Sequence, residues 1–219
     1  MSSPNDRTND PTHTPRPARV STRIQRWTRA ELLPILFLLL LLGAFRSSFA
    51  NHYHVPSGSM EPTLLPGDRV VVDMTAYGLR LPFTKLDLVA GREPARGEVV
   101  IFDSPLDGVL LIKRVVAVGG DRVVLRQGRL WINGAPLGDG DAPSRERFPG
   151  RDVDLELASG GGPDLPELEI PPGMLLVLGD HRGNSVDSRW FGLVPVDEAY
   201  GRAVAVFHRR GDGFGWRRL

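Results

Sequence analysis

The sequence contains no cysteine at all. This absence excludes a disulfide scaffold, a thiol nucleophile and a metal site built on thiolates. Lysine is almost absent as well, because only Lys85 and Lys113 of the 27 Lys and Arg residues are lysines. The formal net charge of +1 gives no overall field that would attract a polyanion, so we expect no nucleic-acid partner.

Several sequence motifs for metals, nucleotides and hydrolytic nucleophiles are also missing. The chain has no HExxH, Walker or GxGxxG pattern. It has no GxSxG nucleophile elbow either. His52 and His54 are the one closely spaced histidine pair, and no third ligand lies near them in the sequence. We therefore expect neither a metal nor a cofactor.

The N-terminal region is predicted to anchor the chain in a membrane. Residues 1–29 are polar and predict a disordered segment on the cytoplasmic side. An uncharged, leucine-rich run of 14 residues follows, Leu32 to Phe45, and residues 30–50 together predict one transmembrane helix. Five arginines closely precede this run, so the positive-inside rule places residues 51–219 outside the cytoplasmic (inner) membrane, with lipids as a partner.

A cleaved signal peptide is the alternative interpretation of this region. Its apolar stretch has the expected length, and Ser48-Phe49-Ala50 has the small-x-small pattern of a cleavage site. The same tripeptide makes self-cleavage after Ala50 a hypothesis. Both alternatives place the rest of the chain outside the cytoplasm.

The body of the chain is predicted to be β structure. Short apolar runs alternate with turn residues, and no stretch keeps a helical period over 11 or more residues. The predicted strands are 69–74, 98–102, 109–118, 122–126, 129–133, 174–178 and 203–208. Residues 138–172 are rich in Gly, Pro and Asp and predict a long loop or small insertion with one weak strand at 153–157.

Lys113 is a candidate general base. It lies in the apolar run VLLIKRVVAV beside Arg114, and strand alternation sends the two cations to opposite faces. Lysine can lose its proton in a protein whereas arginine cannot, and burial lowers the pKa of lysine. A lysine that snorkels at a strand edge is the alternative.

The stretch VPSGSMEPTLLPGD at residues 55–68 is a candidate nucleophile turn. Ser57 and Ser59 flank Gly58, and Pro56 and Pro62 stiffen the segment on both sides. A serine hydroxyl becomes a nucleophile when a neighbouring base takes its proton. Without such a base the tripeptide would be an ordinary loop.

A third candidate segment is GDHRGNSVDSRWFG, residues 179–192. It follows an apolar strand and is dense in polar side chains, which is typical of a functional loop or a hydrogen-bond network. Asp187 and Arg189 are two residues apart, so we expect an ion pair on one strand face.

Together these segments resemble type I signal peptidases, membrane-anchored Ser/Lys proteases that remove signal peptides from exported proteins. Residues 57–64 (SGSMEPTL) resemble the nucleophile motif of that family, with Ser59 as the nucleophile. Residues 111–121 (LIKRVVAVGGD) resemble its lysine motif, with Lys113 as the base. Residues 179–189 (GDHRGNSVDSR) resemble its third motif. The order and spacing of the blocks agree over about residues 32–208.

The resemblance implies further roles for residues near this pair. Ser57 would contribute to the oxyanion hole, and Ser185 would orient the Lys113 amine. Two structural ion pairs are implied, Arg114 with Asp180 and Asp187 with Arg189. Met60 and Ile112 would line shallow substrate pockets for small side chains.

The implied fold is an antiparallel, coiled-sheet Ser/Lys protease fold with an apolar surface near the bilayer. Its substrates would be the signal peptides of preproteins, cut at an Ala-x-Ala type site. Two positions depart from the family pattern, because His181 and Gly183 stand where Asn and Asp are common.

Three other functions remain open from the sequence. One is a self-cleaving Ser/Lys repressor or mutagenesis protein of related fold, disfavoured by the apolar segment and the lack of a DNA-binding module. Another is a non-catalytic, membrane-tethered β module. The last is a Ser/His hydrolase that uses His52 or His54.

Overall fold

The computed structural model describes residues 32–38, 50–80, 87–139 and 142–219. Residues 32–38 are helical (α1) and belong to a separate unit, Met1–Gly43. The predicted disordered segment at 1–29 and most of the predicted anchor at 30–50 lie outside the described residues. Within the described ranges, no helix combines the length and the apolar character needed to cross a membrane.

The second unit, Ala44–Leu219, is mainly β, so this part of the prediction is confirmed. Its described strands are β1 (Ala50–His54), β2 (Arg69–Asp73), β3 (Gly78–Arg80), β4 (Asp87–Ala90), β5 (Val99–Asp103), β6 (Leu110–Val118), β7 (Arg122–Arg126), β8 (Arg129–Ile132), β9 (Ala135–Pro136), β10 (Gly138–Asp139), β11 (Ala142–Phe148), β12 (Arg151–Asp154), β13 (Leu165–Glu169), β14 (Met174–Leu178), β15 (Val194–Pro195), β16 (Gly201–Arg209) and β17 (Gly213–Arg218). A short helix, α2 (Ser188–Phe191), and the 3-10 turns Arg182–Asn184 and Val196–Glu198 complete the described elements.

An antiparallel main sheet organises the unit. Its strand order is β1-β2-β16-β5-β6-β14-β15, and β17 pairs with the C-terminal part of β16. The long strand β6 lies between β5 and β14, where Val100 is opposite Lys113 and Leu178 is opposite Arg114. The two adjacent cations of β6 are therefore at the centre of the sheet rather than at an edge.

Apolar residues of the strands form the core on both sides of the main sheet. One cluster joins residues of β2, β5 and β16 to the turn at residues 56–67, through Met60 and Leu64, which are fully buried. A second cluster packs β6 and β14 against the smaller sheet β13-β7-β8-β9 and against β11 and β12. Burial of these Val, Leu and Ile side chains is the main source of stability for such strands.

Residues 138–172 contain more strands than the long loop or small insertion, with one weak strand at 153–157, that the sequence predicted. They contribute β10, β11 and β12, which form a three-stranded sheet, and β13, which extends the sheet of β7. The hairpin of β11 and β12 carries charges on its outer face, such as Arg145 and Asp154, whose side chains approach to 2.7 Å. Its inner positions are Phe148, Val153 and the buried Glu146. Because so many strand positions are charged, the apolar alternation that marks a strand is weak here.

Candidate active site

The turn that carries Ser57 and Ser59 is held tightly at its base. The backbone N–H of Val55 donates to the carbonyl of Asp68 at 2.9 Å, and Gly67 donates to the carbonyl of Val55 at 2.9 Å. Asp68 is completely buried and accepts a hydrogen bond from Arg209 at 2.7 Å. Both ends of the segment are thus fixed to the main sheet, and its polar residues are presented on a rigid support.

The structure brings Lys113 and Ser59 into direct contact, although 54 positions separate them in the chain. The Nζ of Lys113 is 2.7 Å from the Oγ of Ser59 in a buried hydrogen bond. Lys113 is 3% exposed and Ser59 is 8% exposed. The hydroxyl of Ser57 also donates to the Oγ of Ser59, at 3.4 Å.

Burial changes the protonation of this lysine. The pKa of Lys113 is lowered from 10.5 to about 8, and the largest cause is removal of the amine from water. The charges of Asp187 and Asp180 raise the pKa in part, and Arg189 lowers it. About a tenth of the Lys113 amine is then neutral at pH 7, and in that form the amine can accept the hydroxyl proton of Ser59 across the same contact.

The other cation of β6, Arg114, is buried in an ion pair. Its Nε and Nη2 donate to the two carboxylate oxygens of Asp180 at 2.8 and 2.7 Å, and its Nη1 donates to the carbonyl of Gly97 at 2.7 Å. The hydroxyl of Thr63 also donates to Asp180, at 2.5 Å. This network connects β6, the end of β14 and the turn of Ser59. A bidentate pair of this kind fixes the relative orientation of the two side chains and is stronger than a single neutral hydrogen bond.

Asp187 and Arg189 also form a buried pair, but not on a strand face as expected. Asp187 is the N-cap of α2, and Arg189 lies inside that helix. The Nε and Nη2 of Arg189 donate to the Asp187 carboxylate at 2.7 and 2.8 Å. Asp187 further accepts the N–H of Gly179 at 3.0 Å. The preference of aspartate for the N-cap position explains why the chain starts a helix here.

Ser185 lies near Ser59 without a hydrogen bond to Lys113. Its Oγ is buried and has no hydrogen-bond partner among the described residues. A Cβ atom on Gly179 would lie 2.3 Å from this Oγ and 2.4 Å from the carbonyl oxygen of Ser59. Glycine at position 179 therefore lets both Ser185 and the nucleophile turn pack closely against the same face of one backbone segment.

The two expected pocket residues differ in exposure. Met60 is 0% exposed and belongs to the core cluster beneath the turn, so it presents no surface to a substrate in this structure. This corrects the expectation that Met60 lines a pocket, and the reason is that the turn directs its side chain inward. Ile112 is only partly buried and packs against the edge of the same cluster.

The histidines proposed for an alternative hydrolase lie on β1. His52 and His54 are both exposed, and in the described part of the chain no hydrogen bond joins either of them to Ser59. His52 makes an edge contact with the ring of Phe207 at a centroid distance of 6.2 Å. Among the described residues, the Ser59 hydroxyl has Lys113 as a partner and no histidine side chain.

Comparison with known proteins identifies the chain's relatives. Residues 27–208 match the profile of a protein family described as "Signal peptidase, peptidase S26". A signal peptidase I from Pseudomonas fluorescens is 33% identical, over 81% of this chain and 70% of the relative. A probable signal peptidase from Synechocystis is 31% identical, over 83% of this chain and 73% of the relative. The chain belongs to the signal peptidase family.

A solved relative of this signal peptidase is also known. The crystal structure of a signal peptidase I from Enterococcus faecalis is 32% identical in sequence and covers 51% of this chain and 97% of its own. Its TM-score to this structure is 0.36. The predicted membership of the signal peptidase family is confirmed by the family match and by the relatives at 33% and 31% identity.

Two polar residues in the buried networks around Asp180 and Arg182, Thr63 and Glu146, were not predicted from the sequence. Thr63 lies within the nucleophile block but attracted no role, although it hydrogen-bonds Asp180. Glu146, from β11, forms a buried bidentate pair with Arg182 at 3.0 and 2.5 Å. No local signal marks Glu146, because its partner is 36 residues away and its neighbours are charged surface residues.

Proposed function

We propose that this chain is a serine endopeptidase that removes signal peptides from exported preproteins and cuts after a small residue. Ser59 is the nucleophile and Lys113 is the general base. One observation supports this most strongly: the 2.7 Å contact between Nζ and Oγ in a buried setting. An ordinary surface lysine would keep its proton, whereas this one has a pKa of about 8.

The reaction follows from that contact. The neutral Lys113 amine takes the hydroxyl proton as the Ser59 oxygen attacks the carbonyl after the small residue. The tetrahedral oxyanion is stabilised by the Ser57 hydroxyl and the backbone N–H of Ser59. The protonated amine returns its proton to the leaving nitrogen, which leaves an acyl-enzyme. Lys113 then activates a water that hydrolyses the ester, and no metal or cofactor takes part.

The remaining polar residues support this pair rather than react. The Arg114–Asp180 and Asp187–Arg189 ion pairs connect β6 and β14 to residues 179–189. Each pair contains one positive and one negative charge, so together they add almost no net charge near Lys113. When substrate binds, the Ser185 hydroxyl forms a hydrogen bond with the Lys113 amine and orients it. Ile112 provides part of a shallow surface that accepts only small side chains of the signal peptide.

The catalytic unit works at the outer face of the cytoplasmic membrane. Residues 30–50 form the anchor, and the preceding arginines hold the N-terminus inside. Leu106, Val109 and Leu110, around the β5–β6 connection, are exposed apolar residues that suit contact with lipid.

Since the chain has no cysteine, single Asp6→Cys and Glu167→Cys variants in sealed vesicles or spheroplasts test this orientation. An impermeant maleimide should label position 167 from outside and not position 6.

The activity is tested with a model preprotein that carries an Ala-x-Ala site. Detergent-solubilised wild type should cut after the second Ala, as read by mass spectrometry, whereas Ser59→Ala, Lys113→Met and Lys113→Arg should not. A His52→Gln/His54→Gln double variant is the matched control and should cut normally. Cleavage by Lys113→Arg at an appreciable rate would refute the base assignment. Loss of activity in the histidine variant alone would favour a Ser/His mechanism.

A further inference from the structure

A chain of three polar side chains lies beside the Ser59–Lys113 pair. The Nδ1 of His181 is 3.3 Å from Oε2 of Glu61, and its Nε2 is 3.2 Å from Oγ of Ser159. His181 is 8% exposed, so few waters compete for its ring. A carboxylate only accepts hydrogen bonds, so in the neutral ring Nδ1 carries the proton and Nε2 accepts from the Ser159 hydroxyl.

The inner end of this chain reaches the nucleophile turn at two points. Carboxyl atoms of Glu61 lie 2.9 to 3.0 Å from the place where a Cβ on Gly58 would sit, so the carboxylate packs directly on that glycine. The backbone N–H of His181 donates to the carbonyl of Ser59 at 3.2 Å. His181 thus contacts the turn on both sides of residue 60, once through its backbone and once through Glu61.

The outer end of the chain is a loop at residues 157–162. A Cβ on Gly183 would lie 2.4 Å from the carbonyl oxygen of Ser159 and 2.6 Å from that of Gly160. Glycine at 183 therefore permits the close approach that delivers Ser159 to His181. The two positions at which this chain departs from the family pattern contact the same loop, so one packing arrangement accounts for both departures.

We propose that His181 is a positioning residue for the nucleophile, and that it acts through Glu61 on the turn that carries Ser59. It touches neither Lys113 nor the reacting atoms. Its task is to keep the Ser59 Oγ at hydrogen-bond distance from the amine, because a small misplacement of a nucleophile strongly reduces the rate. Ser159 fixes the ring from outside. This inference rests on the proposed function, since turnover by Ser59 is its main readout.

Two substitutions separate the two arms of His181. The side-chain amide of Asn reaches the place of Nδ1 and can keep the Glu61 contact, whereas that of Gln reaches the place of Nε2 and keeps only Ser159. We expect His181→Gln and Glu61→Ala to lower kcat about three- to tenfold with KM within about twofold, the range expected for one lost hydrogen bond. His181→Asn should retain most of the turnover. The matched control, His54→Gln on exposed β1, should be unchanged.

Two further measurements distinguish positioning from general damage. The double variant Glu61→Ala/His181→Gln should be no slower than the slower single variant, because both changes interrupt one path. The rising limb of the pH–rate profile should keep its midpoint, because His181 is not among the groups that shift the pKa of Lys113. Equal losses in His181→Asn and His181→Gln, additive losses in the double variant, or a moved midpoint would each overturn the proposal.

Hydrogen exchange supplies a readout that does not depend on activity. Amides of residues 55–65, followed by mass spectrometry, should exchange faster in His181→Gln and Glu61→Ala than in wild type and His181→Asn. Unchanged exchange in those variants would refute the positioning role. If wild type cuts no preprotein while exchange responds as expected, the proposed function fails and the His181–Glu61 contact stands as a purely structural clamp.

Discussion

The pH dependence of cleavage is the quantity that depends most directly on Lys113. The neutral amine is the reactive form, and burial lowers its pKa from 10.5 to about 8. Below pH 8 the neutral fraction, and with it kcat/KM, should rise about tenfold per pH unit, and above pH 9 it should level off. Between pH 7 and pH 9 the neutral fraction grows from about one tenth to about nine tenths. An amine with an unshifted pKa would be about 0.03% neutral at pH 7.

The assay is a peptide substrate with an Ala-x-Ala site and no group that titrates between pH 6 and 10. kcat/KM is measured across that range in detergent at constant ionic strength, with Ser59→Ala as the blank. A midpoint near 10, or a flat profile between pH 6 and 9, would show that a neutral, buried Lys113 is not the base. A midpoint near 8 that persists in the control His54→Gln would support the assignment.

Three further changes have expected outcomes. Lys113→Met should abolish cleavage yet raise the free energy of unfolding at pH 7 by up to about 3 kcal/mol, as measured by urea denaturation. The reason is that the pKa of Lys113 is lower in the folded than in the unfolded chain, so the wild-type fold loses stability as the pH falls from 10.5 toward 8. Asp180→Asn leaves the buried Arg114 guanidinium without its counter-charge and should cost about 3–5 kcal/mol in the same experiment. Gly179→Ala should abolish cleavage, because a Cβ there would lie 2.4 Å from the Ser59 carbonyl; activity and thermal unfolding are measured together.

Matched controls are available for the last two changes. Asp154→Asn breaks the exposed pair with Arg145 and should change stability by less than about 1 kcal/mol. Gly215→Ala places a Cβ in open space and should leave cleavage and melting unchanged. If Asp180→Asn were no more harmful than Asp154→Asn, the buried pair would not be the support described here. A fully active Gly179→Ala would show that the turn can shift without penalty.

Local patterns allow some elements of this protein to be predicted and hide others. The strands predicted at 69–74, 98–102, 109–118 and 174–178 agree with β2, β5, β6 and β14 to within one residue, because apolar runs between turn residues are visible in a short window. Within 138–172 only the weak strand predicted at 153–157 overlaps an observed strand, β12 (Arg151–Asp154). The other strands were missed because charged outer residues alternate with an inner Glu146, whose partner Arg182 comes from another segment. Asp187 was expected on a strand face, but its side chain caps a helix, and only the local backbone shows which of the two occurs.

The sequence by itself determined the mainly β class, the lack of thiol chemistry and the two candidate reactive residues. These conclusions depend on residue type, on short-range periodicity and on a family resemblance, all of which are present in the chain as written. Tertiary structure alone decided that Ser59 meets Lys113 at 2.7 Å, that Met60 points into the core, and that His181 joins the nucleophile turn to the 157–162 loop. Contacts between residues tens of positions apart, and the desolvation that lowers the pKa of a lysine, exist only once the strands have packed.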